Sequence, residues 1–333
     1  MDFHKKILII RFSSIGDIVL ATSPLKTIRK AYPNATITFL TLDKFSSLLE
    51  YHPDIDHLLA INNNMTIKEI WDFRKYIVRS NYDIIYDLHN SLRSNLFTLW
   101  SSTPSFQLKK PRIKRAILFY FHKNYFDTSF STTKMYHEHL GPIWRNTNRP
   151  VPLTNLRLSE YEINKAKSYL ISKGVLSDFM VLIPGAAWKQ KQWIVKNYVK
   201  LLGKINNPVI MLGSSSDKIC SDIASFCHSV INLSGVTSLR QALGIIANAK
   251  HIIGSDTGLL HAAEALGKSV SMILGPTTKE TGANVLLPDS HSIEKDIWCR
   301  PCSQNGSLPC YRKKQYCMES IEINDVLNSI PLA

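Results

Sequence analysis

Three short segments place glycine and polar or charged side chains directly after a predicted strand, where they could take part in chemistry. They are Ser13–Asp17, Pro184–Lys191 and Gly254–His261. Ligands of open α/β sheets bind at the carboxyl ends of the strands, which is where such turns lie. A carboxylate there can accept a proton, and backbone amides or a lysine can stabilise phosphate oxygens. The spacing therefore predicts a site for proton transfer and phosphate binding.

The first turn contains one carboxylate, Asp17, preceded by Gly16, which allows a tight turn and the close approach of a ligand. Two interpretations of Asp17 stay open at this point. It could be a catalytic base, or it could be a helix N-cap whose carboxylate accepts a hydrogen bond from a helix amide. The Gly-x-Gly-x-x-Gly spacing of dinucleotide-binding turns is absent. That absence argues against a nicotinamide-dependent enzyme.

The second turn follows a strand ending at Ile183 and continues into a loop of small residues with two lysines and two tryptophans. The backbone amides of Gly185–Ala187 could face phosphate oxygens, while Lys189 or Lys191 supplies a positive charge. The alternative is an ordinary surface loop whose lysines are solvated. This loop by itself favours neither interpretation.

The third turn has three residues that suit a helix N-terminus, Ser255, Asp256 and Thr257, followed by Gly258. With the helix dipole, the exposed amides at such a turn suit a diphosphate group. His261 falls one turn into the helix and could help to hold that group. A lone histidine at this position could equally be a packed residue with all its hydrogen bonds satisfied.

The elements that must position these turns alternate between strand and helix. The apolar patterns predict strands at Lys5–Phe12, Ala35–Thr41, His57–Ile61, Asp83–Leu88, Phe179–Ile183, Pro208–Leu212, Val230–Leu233, His251–Ile253 and Val270–Leu274. They predict helices at Ile18–Lys30, Ile67–Ser80, Val195–Ile205, Lys218–Cys227, Leu239–Ala247, Leu259–Leu266 and Glu322–Ser329. Alternation of this kind predicts right-handed, doubly wound parallel sheets.

The chain of 333 residues is long enough for two domains. A polar segment with two prolines, residues 146–155, is the predicted linker. We therefore expect a first domain over residues 1–150 and a second over 156–333. The final helix could pack back on the first domain.

A formal charge of +14 indicates an anionic partner: a nucleic acid, an acidic lipid surface or a phosphorylated substrate. Much of the excess lies between Ser105 and Tyr125, a stretch with several aromatic residues and no acidic one. Its basic residues are Lys109, Lys110, Arg112, Lys114, Arg115 and Lys123. This stretch is either a solvated helix face or a basic and aromatic surface that meets lipid head groups. No helix-turn-helix, zinc-finger or RNA-binding motif accompanies it.

The chain shows no apolar run of the ~18–20 residues that cross a bilayer, and its N-terminus is unlike a signal peptide. We therefore expect a cytoplasmic protein.

Four of its six cysteines lie near the C-terminus, at Cys299, Cys302, Cys310 and Cys317. They could hold a structural zinc ion, or they could be reduced thiols near a chain crossover.

Taken together and in this order, the motifs resemble glycosyltransferase family 9, the ADP-heptose:lipopolysaccharide heptosyltransferases and their relatives. The resemblance covers nearly the whole chain. Besides the three turns, its motifs here are His52-Pro53-Asp54-Ile55-Asp56, Asp87-Leu88 with Leu92-Arg93-Ser94, Trp188 with Lys191 and Trp193, Asn232-Leu233-Ser234-Gly235, Cys299-Arg300-Pro301-Cys302 and Cys317-Met318.

The resemblance implies a GT-B fold, with two Rossmann-like domains facing across a cleft, and an inverting transfer that needs neither a metal nor a cofactor. It implies that Asp17 is the general base that deprotonates the acceptor hydroxyl. It also implies that Lys191 stabilises the leaving nucleotide diphosphate together with the amides at Thr257 and Gly258. A single carboxylate suffices because the leaving group departs as an anion stabilised by positive charge.

By the same resemblance, a set of residues in the second half binds the donor, with Asp217 at the ribose and Thr237 near the adenine. The set is Gly185, Ala186, Gly213, Asp217, Thr237, Asp256, Thr257, Gly258 and His261. The predicted acceptor-binding residues are Gly16, Arg93, Lys109, Lys110, Arg112, Lys114 and Arg115. Ala186 and Ala187 depart from relatives that have hydroxyl residues there, so only backbone amides can donate.

The expected donor is ADP-heptose and the expected acceptor is the anionic inner core of lipopolysaccharide, reached at the cytoplasmic face of the inner membrane. No nucleic-acid partner is expected. A relative that uses another nucleotide sugar is the nearest alternative. A non-catalytic, basic nucleic-acid-binding protein is the alternative from a different class.

Overall fold

The computed structural model describes residues 4–145, 149–282 and 284–331. Contacts divide the chain into two compact units, the first made of residues 1–110 and 132–157 and the second of residues 111–131 and 158–333.

The helices, in chain order, are α1 Ile15–Leu20, α2 Ser23–Ala31, α3 Asp43–Ser46, α4 Ile67–Arg79, α5 Leu92–Thr98, α6 Arg112–Phe121, α7 Thr132–Glu138, α8 Glu160–Ser172, α9 Val195–Leu202, α10 Lys218–Phe226, α11 Leu239–Asn248, α12 Gly258–Ala265, α13 Tyr316–Glu319 and α14 Ile323–Leu327. Short 3-10 turns lie at Ser47–Leu49, Gly141–Trp144, Lys189–Lys191 and Lys279–Thr281.

The first unit contains a parallel sheet of five strands in the order β3-β2-β1-β4-β5. The strands are β1 Lys6–Ile10, β2 Thr36–Leu42, β3 His57–Ile61, β4 Ile84–Asp87 and β5 Ser105–Gln107. β1 is the central strand, and its four apolar residues Ile7–Ile10 have no exposed surface because helices cover both faces of the sheet. The chain winds outward from β1 to β3 and then returns to the other side of β1. The switch point, where ligands of such sheets bind, therefore lies between β1 and β4.

The second unit contains a parallel sheet of six strands in the order β11-β10-β9-β6-β7-β8. The strands are β6 Met180–Ile183, β7 Val209–Met211, β8 Val230–Asn232, β9 His251–Ser255, β10 Val270–Ile273 and β11 His291–Ile293. Separate apolar clusters cover its two faces. Its switch point lies between β6 and β9. At that point only a glycine fits, because a β carbon at Gly254 would lie 2.2 Å from the Ile183 carbonyl oxygen.

The start of the first unit differs from the prediction. The expected helix Ile18–Lys30 is two helices, α1 and α2, and the second has a proline in its first turn. Proline lacks a backbone N–H and is tolerated in the first turn of a helix, so Pro24 suits the start of α2. In α1, Ser14 is the N-cap and Asp17 is the third helical residue, so Asp17 is not itself the N-cap.

Several elements were not predicted, among them α8, β5 and β11. α8 begins with a capping box in which Glu162 Oε2 accepts hydrogen bonds from the Ser159 N–H and hydroxyl, both at 2.8 Å. β5 and β11 have three residues each and lie at sheet edges. Each of these two strands has a single apolar residue, which is too little apolar pattern to be recognised without the neighbouring strand.

The division between the units also differs from the predicted one. Residues 146–148 of the predicted linker lie outside the described residues. The end of the predicted linker packs on the first unit. There, the Ser23 hydroxyl donates to the Pro152 carbonyl oxygen. The Asn155 N–H donates to the Thr22 hydroxyl at 2.9 Å. Helix α6, which was expected in the first domain, groups with the second unit. The last helix, α14, packs on α9 within the second unit.

The part of the chain that the structure describes contains no helix long and apolar enough to span a membrane.

Candidate active site

At the switch point of the first unit, the carboxylate of Asp17 is held by Arg11 and Ser14. Arg11 Nη2 lies 2.8 Å from Asp17 Oδ2, and the Ser14 N–H and hydroxyl donate to the same oxygen at 3.2 and 3.1 Å. The Arg11 guanidinium is buried and also donates to the Leu88 carbonyl oxygen at 2.6 Å, which ties the end of β1 to the end of β4. The Asp17 side chain keeps 40% of its surface exposed, so it is open to a ligand.

The charge of Asp17 is stabilised at neutral pH. Burial raises the pKa of this carboxyl, but the Arg11 guanidinium and the hydrogen bonds from Ser14 outweigh it, and the pKa is lowered overall. A carboxylate that is ionised and partly exposed can accept a proton from a hydroxyl group placed beside it. The geometry therefore suits a general base at this position.

His89 lies at the same edge of the sheet, two residues after the end of β4. Burial, followed by the nearby charges of Arg11 and Lys110, lowers its pKa to about 4, so the imidazole is neutral at physiological pH. Its ring packs on Phe12 with the centroids 4.9 Å apart. Lys110 Nζ donates to the His89 carbonyl oxygen at 2.9 Å and so fixes the backbone of this loop.

At the switch point of the second unit, one buried carboxylate, Asp256, is the centre of a polar group. Lys191 Nζ lies 2.6 Å from Asp256 Oδ2, and the Thr277 hydroxyl donates to the same oxygen at 3.1 Å. His261 Nε2 lies 3.7 Å from Oδ1. The loops after β6, β9 and β10 supply these residues, so the sheet brings together positions that are far apart in the sequence.

The pair Lys191–Asp256 is strongly coupled. Burial raises the pKa of Asp256, yet Lys191 and His261 lower it by more, and the net shift is well below the ordinary range for aspartate. Asp256 therefore stays ionised and orients Lys191 as a cation. A lysine ammonium fixed at the carboxyl ends of strands can stabilise the oxygens of a diphosphate.

A second polar group surrounds the carboxylate of Asp217, after β7. Asp217 Oδ2 accepts hydrogen bonds from the Ser214 N–H and hydroxyl at 2.7 and 2.9 Å. A β carbon at Gly185 would lie 2.5 Å from Asp217 Cγ, and one at Gly213 would lie 3.0 Å from Asp217 Oδ2. The two predicted glycines thus allow the carboxylate to approach the backbone of both loops.

The remaining donor-site predictions lie at the same edge of this sheet. Thr257 is the N-cap of α12 and Gly258 is its first residue, so their amides face the end of β9. Ala186 is 9% exposed and Thr237, before α11, is half-buried. Among the residues predicted for catalysis and donor binding in the second unit, direct contacts join Lys191, Asp256 and His261, and separately Gly185, Gly213 and Asp217.

The predicted acceptor residues are divided between the two units, with Arg112, Lys114 and Arg115 in the second and the others in the first. Gly16 is buried inside α1, and Arg93 Nη2 donates to the Asn63 carbonyl oxygen at 2.7 Å. Arg115 is only 8% exposed because it lies on the inner face of α6, so it offers a ligand little surface. The exposed cations of this set are Lys109, Arg112 and Lys114.

The four C-terminal cysteines are free thiols that interact with one another. Burial raises the pKa of Cys302 to about 11, and its neighbours Cys317, Cys299 and Cys310 add to the effect. The Cys302 thiol therefore stays protonated at neutral pH. Within the described ranges, no group of three or more His, Cys, Asp or Glu side chains is placed to hold a metal ion.

Several residues that contact Asp17 or that fix the loops around Asp256 were not singled out as site residues from the sequence. Arg11 carried a usable signal, since a charged residue directly after a buried strand must find a partner. Thr277 gave none, because its role depends on folding, and Arg300 was noted only as part of the motif Cys299-Arg300-Pro301-Cys302. Arg300 donates to the Thr277 carbonyl oxygen at 2.8 Å and pairs with Glu294 at 2.8 Å, which fixes the loop after β10.

Two doubly wound units, one with an ionised carboxylate and the other with a lysine–aspartate pair at its switch point, are the arrangement expected for a glycosyltransferase. The model of the family "Glycosyltransferase family 9 (heptosyltransferase)" matches residues 70–311, and the chain belongs to this family. The lipooligosaccharide heptosyltransferase 2 of Haemophilus ducreyi is 26% identical over 301 residues, 82% of this chain and 84% of that protein.

Solved structures confirm the predicted GT-B fold class. The ADP-heptose lps heptosyltransferase II of E. coli has a TM-score of 0.76 at 24% identity and covers 97% of each chain. The E. coli heptosyltransferase WaaC with ADP-2-deoxy-2-fluoro heptose has a TM-score of 0.65 at 17% identity, over 97% of this chain and 98% of that one. Membership of an enzyme family also removes the non-catalytic nucleic-acid-binding alternative.

Proposed function

We propose that this glycosyltransferase moves heptose from ADP-heptose to the inner core of lipopolysaccharide, with inversion at the anomeric carbon and without a metal ion. The observation that carries the proposal is the group Lys191–Asp256–Thr277–His261, because it offers a fixed cation to a diphosphate leaving group in a chain of this family. Two relatives are named as a lipooligosaccharide and a lipopolysaccharide heptosyltransferase. These names support heptose as the sugar and lipopolysaccharide as the acceptor.

In the proposed reaction, Asp17 accepts the proton of an acceptor hydroxyl while its oxygen attacks the anomeric carbon of the donor sugar. The bond from that carbon to the diphosphate oxygen breaks, and ADP leaves from the opposite side, which inverts the configuration. Arg11 keeps Asp17 ionised, and Ser14 fixes its orientation. A base held in this way needs no reorganisation when the hydroxyl arrives.

The leaving group is stabilised by the second unit. Lys191 supplies a positive charge, and the amides of Thr257 and Gly258 at the start of α12 add the favourable end of the helix dipole. These groups together take the place that a divalent cation occupies in metal-dependent transferases. Asp217 is the proposed ribose partner, since it lies at the end of β7 beside Gly185 and Gly213.

We further propose that the enzyme works at the cytoplasmic face of the inner membrane as a peripheral protein. Helix α6 exposes Ile113 (78%), Tyr120 (76%) and Phe121 (70%) beside the exposed cations Arg112 and Lys114. Apolar side chains flanked by cations are typical of helices that lie in the interface of an anionic bilayer.

The proposal is tested by incubating the full chain with ADP-heptose and deacylated lipopolysaccharide core in the presence of EDTA. We expect a product heavier by one heptose, and NMR of the new linkage should show inverted anomeric configuration. Asp17→Asn should abolish transfer and leave ADP binding, measured by calorimetry, near that of the wild type. Transfer by Asp17→Asn would refute its role as base, and loss of transfer in EDTA would refute metal independence.

Parallel reactions with ADP-glucose, UDP-glucose and GDP-mannose test the donor. Transfer from one of these in place of ADP-heptose would show a family member with another nucleotide sugar. Transfer from none of the four donors would refute the proposed reaction.

A further inference from the structure

A cavity of about 480 Å³ lies within the second unit, outside the lysine-centred group. The C-terminal end of α6 forms one side with Leu118, His122 and Asn124, and the loops after β10 and β11 form the other. Ligand pockets have volumes of roughly 300–1,000 Å³. The cavity is therefore large enough for a small organic ligand.

The charges that line this cavity do not suit a phosphate. Its two cations, Lys279 and Arg300, both face Glu294, at 3.7 and 2.8 Å. Two further carboxylates, Glu280 and Asp296, line the cavity and have no ion-pair partner among the described residues. With its cations already paired and carboxylates in excess, the cavity favours a ligand that donates hydrogen bonds and disfavours an anion.

Thr278 gives a second, independent indication of a polar ligand. Its side chain lines the cavity and is only 4% exposed. No hydrogen-bond partner for its hydroxyl is found in the described part of the chain. The hydroxyl lines the cavity without a partner among the described residues, so it can donate to or accept from a ligand hydroxyl at this point. A hydroxyl can both donate and accept, so it complements the acceptor-only carboxylates nearby.

The cavity adjoins the proposed leaving-group site through one loop. Thr278 follows Thr277, whose hydroxyl donates to Asp256 at 3.1 Å. Arg300, which lines the cavity, donates to the Thr277 carbonyl oxygen at 2.8 Å. Beyond His122, Trp298 lies with its ring centroid 6.3 Å away and keeps 68% of its surface exposed. An exposed indole offers an apolar face to the C–H side of a sugar ring.

We propose that this cavity is a subsite for an uncharged sugar ring, bound through its hydroxyl groups by Thr278, Glu280 and Asp296. The source of the ring is either the transferred sugar of the donor or a sugar of the acceptor, and this part of the inference rests on the proposed function. The cavity lies in the second unit and is distinct from the basic residues that suit an anionic acceptor.

Direct binding tests the subsite without relying on catalysis. Saturation-transfer NMR with dephosphorylated, deacylated core oligosaccharide should show contact with the wild type. Thr278→Val and Asp296→Asn should each weaken that binding about tenfold. Asp289→Asn, which removes an exposed carboxylate elsewhere in the same unit, is the matched control and should bind as the wild type does. The same measurement is made with ADP-heptose, and unchanged binding of both the oligosaccharide and ADP-heptose by both cavity variants would overturn the inference.

Steady-state kinetics then identify the source of the ring. If the acceptor supplies it, Thr278→Val and Asp296→Asn raise the acceptor KM, while the donor KM and kcat stay within about twofold. If the donor supplies it, the donor KM rises and the acceptor KM does not. If neither KM changes, the inference is wrong even where the wild type transfers heptose. If the wild type transfers no sugar but oligosaccharide binding depends on Thr278, the proposed function fails and the subsite stands.

Discussion

Gly306 lies against the aliphatic stem of Lys191. A β carbon at Gly306 would come within 2.6 Å of Lys191 Cγ and 3.0 Å of Lys191 Cδ, and the backbone of Gly306 has φ +78°. The segment that contains it is also tied to the loop of Lys191 by Gln315, whose side-chain amide donates to the Gln190 carbonyl oxygen. The C-terminal segment therefore positions the lysine that Asp256 orients.

We predict that Gly306→Ala weakens ADP binding, because the added methyl group displaces the stem of Lys191 and moves its ammonium group. Gly267→Ala is a matched control, since Gly267 has φ +79° and no atom within 4 Å of an added β carbon. Both variants lose about 1 kcal/mol of stability from the backbone strain. Calorimetry with ADP should show a lower affinity only for Gly306→Ala.

A purely structural effect of Gly306→Ala is distinguished by a double variant. In a Lys191→Ala background the contact is gone, so adding Gly306→Ala should lower ADP affinity no further. An equal loss of affinity in both backgrounds would show that Gly306 does not act through Lys191.

Lys191→Met is predicted to destabilise the fold more than the double variant Lys191→Met/Asp256→Asn. The single change leaves the Asp256 carboxylate buried without its cation, which costs about 3–5 kcal/mol. The double change removes both charges. Urea denaturation of the full chain measures the two free energies of unfolding. The 2.6 Å separation indicates that the two charges are coupled. If the single and the double variant were equally stable, that coupling would be absent.

Arg11→Met should shift the acid limb of the kcat/KM profile to higher pH. Arg11 lowers the pKa of Asp17, so its removal raises that pKa and the base becomes protonated at a higher pH. Arg11→Lys keeps the positive charge and should leave the limb close to its wild-type position. An acid limb that does not move in Arg11→Met would exclude Asp17 as the titrating base.

Glu162 should make stability pH-dependent in acid. Its hydrogen bonds with Arg240, at 2.6 Å from both Nε and Nη2, lower its pKa to about 2. A carboxyl with a lowered native-state pKa contributes stability above its unfolded pKa of roughly 4.3, and that contribution is lost as pH falls toward 2. In the Glu162→Gln variant, the urea midpoint should therefore fall less steeply over the same pH range than it does in the wild type. Glu160→Gln, which changes an exposed residue on the same helix, should leave the decline as it is in the wild type.

The membrane proposal is tested by sedimentation with vesicles of phosphatidylethanolamine and phosphatidylglycerol. Ile113→Ser removes an apolar side chain that is 78% exposed on α6 and should lower vesicle affinity about tenfold. Ile67→Ser is the control, because Ile67 is 77% exposed on α4. Equal effects of the two changes would argue against α6 as the contact surface.

The sequence by itself determined the fold class and the places where chemistry could occur. Apolar runs such as Ile7–Ile10 predict buried parallel strands, because the strands of a sheet covered on both faces are continuously hydrophobic. Turns of glycine and polar residues after those strands indicate the ligand edge. Asp17, Lys191 and Asp256 were all singled out in this way, since each lies in such a turn.

The tertiary structure decided which of those residues meet. Lys191, Asp256 and Thr277 lie on three different loops, and only the strand order β10-β9-β6 makes those loops neighbours. Arg115 was predicted to face a ligand, but its burial depends on which face of α6 packs inward. Local patterns record periodicity and turn chemistry, whereas contacts between distant segments are set by the packing of the whole sheet. For that reason the sequence indicated the edge of each sheet, and the fold alone determined the pairs of side chains that occupy it.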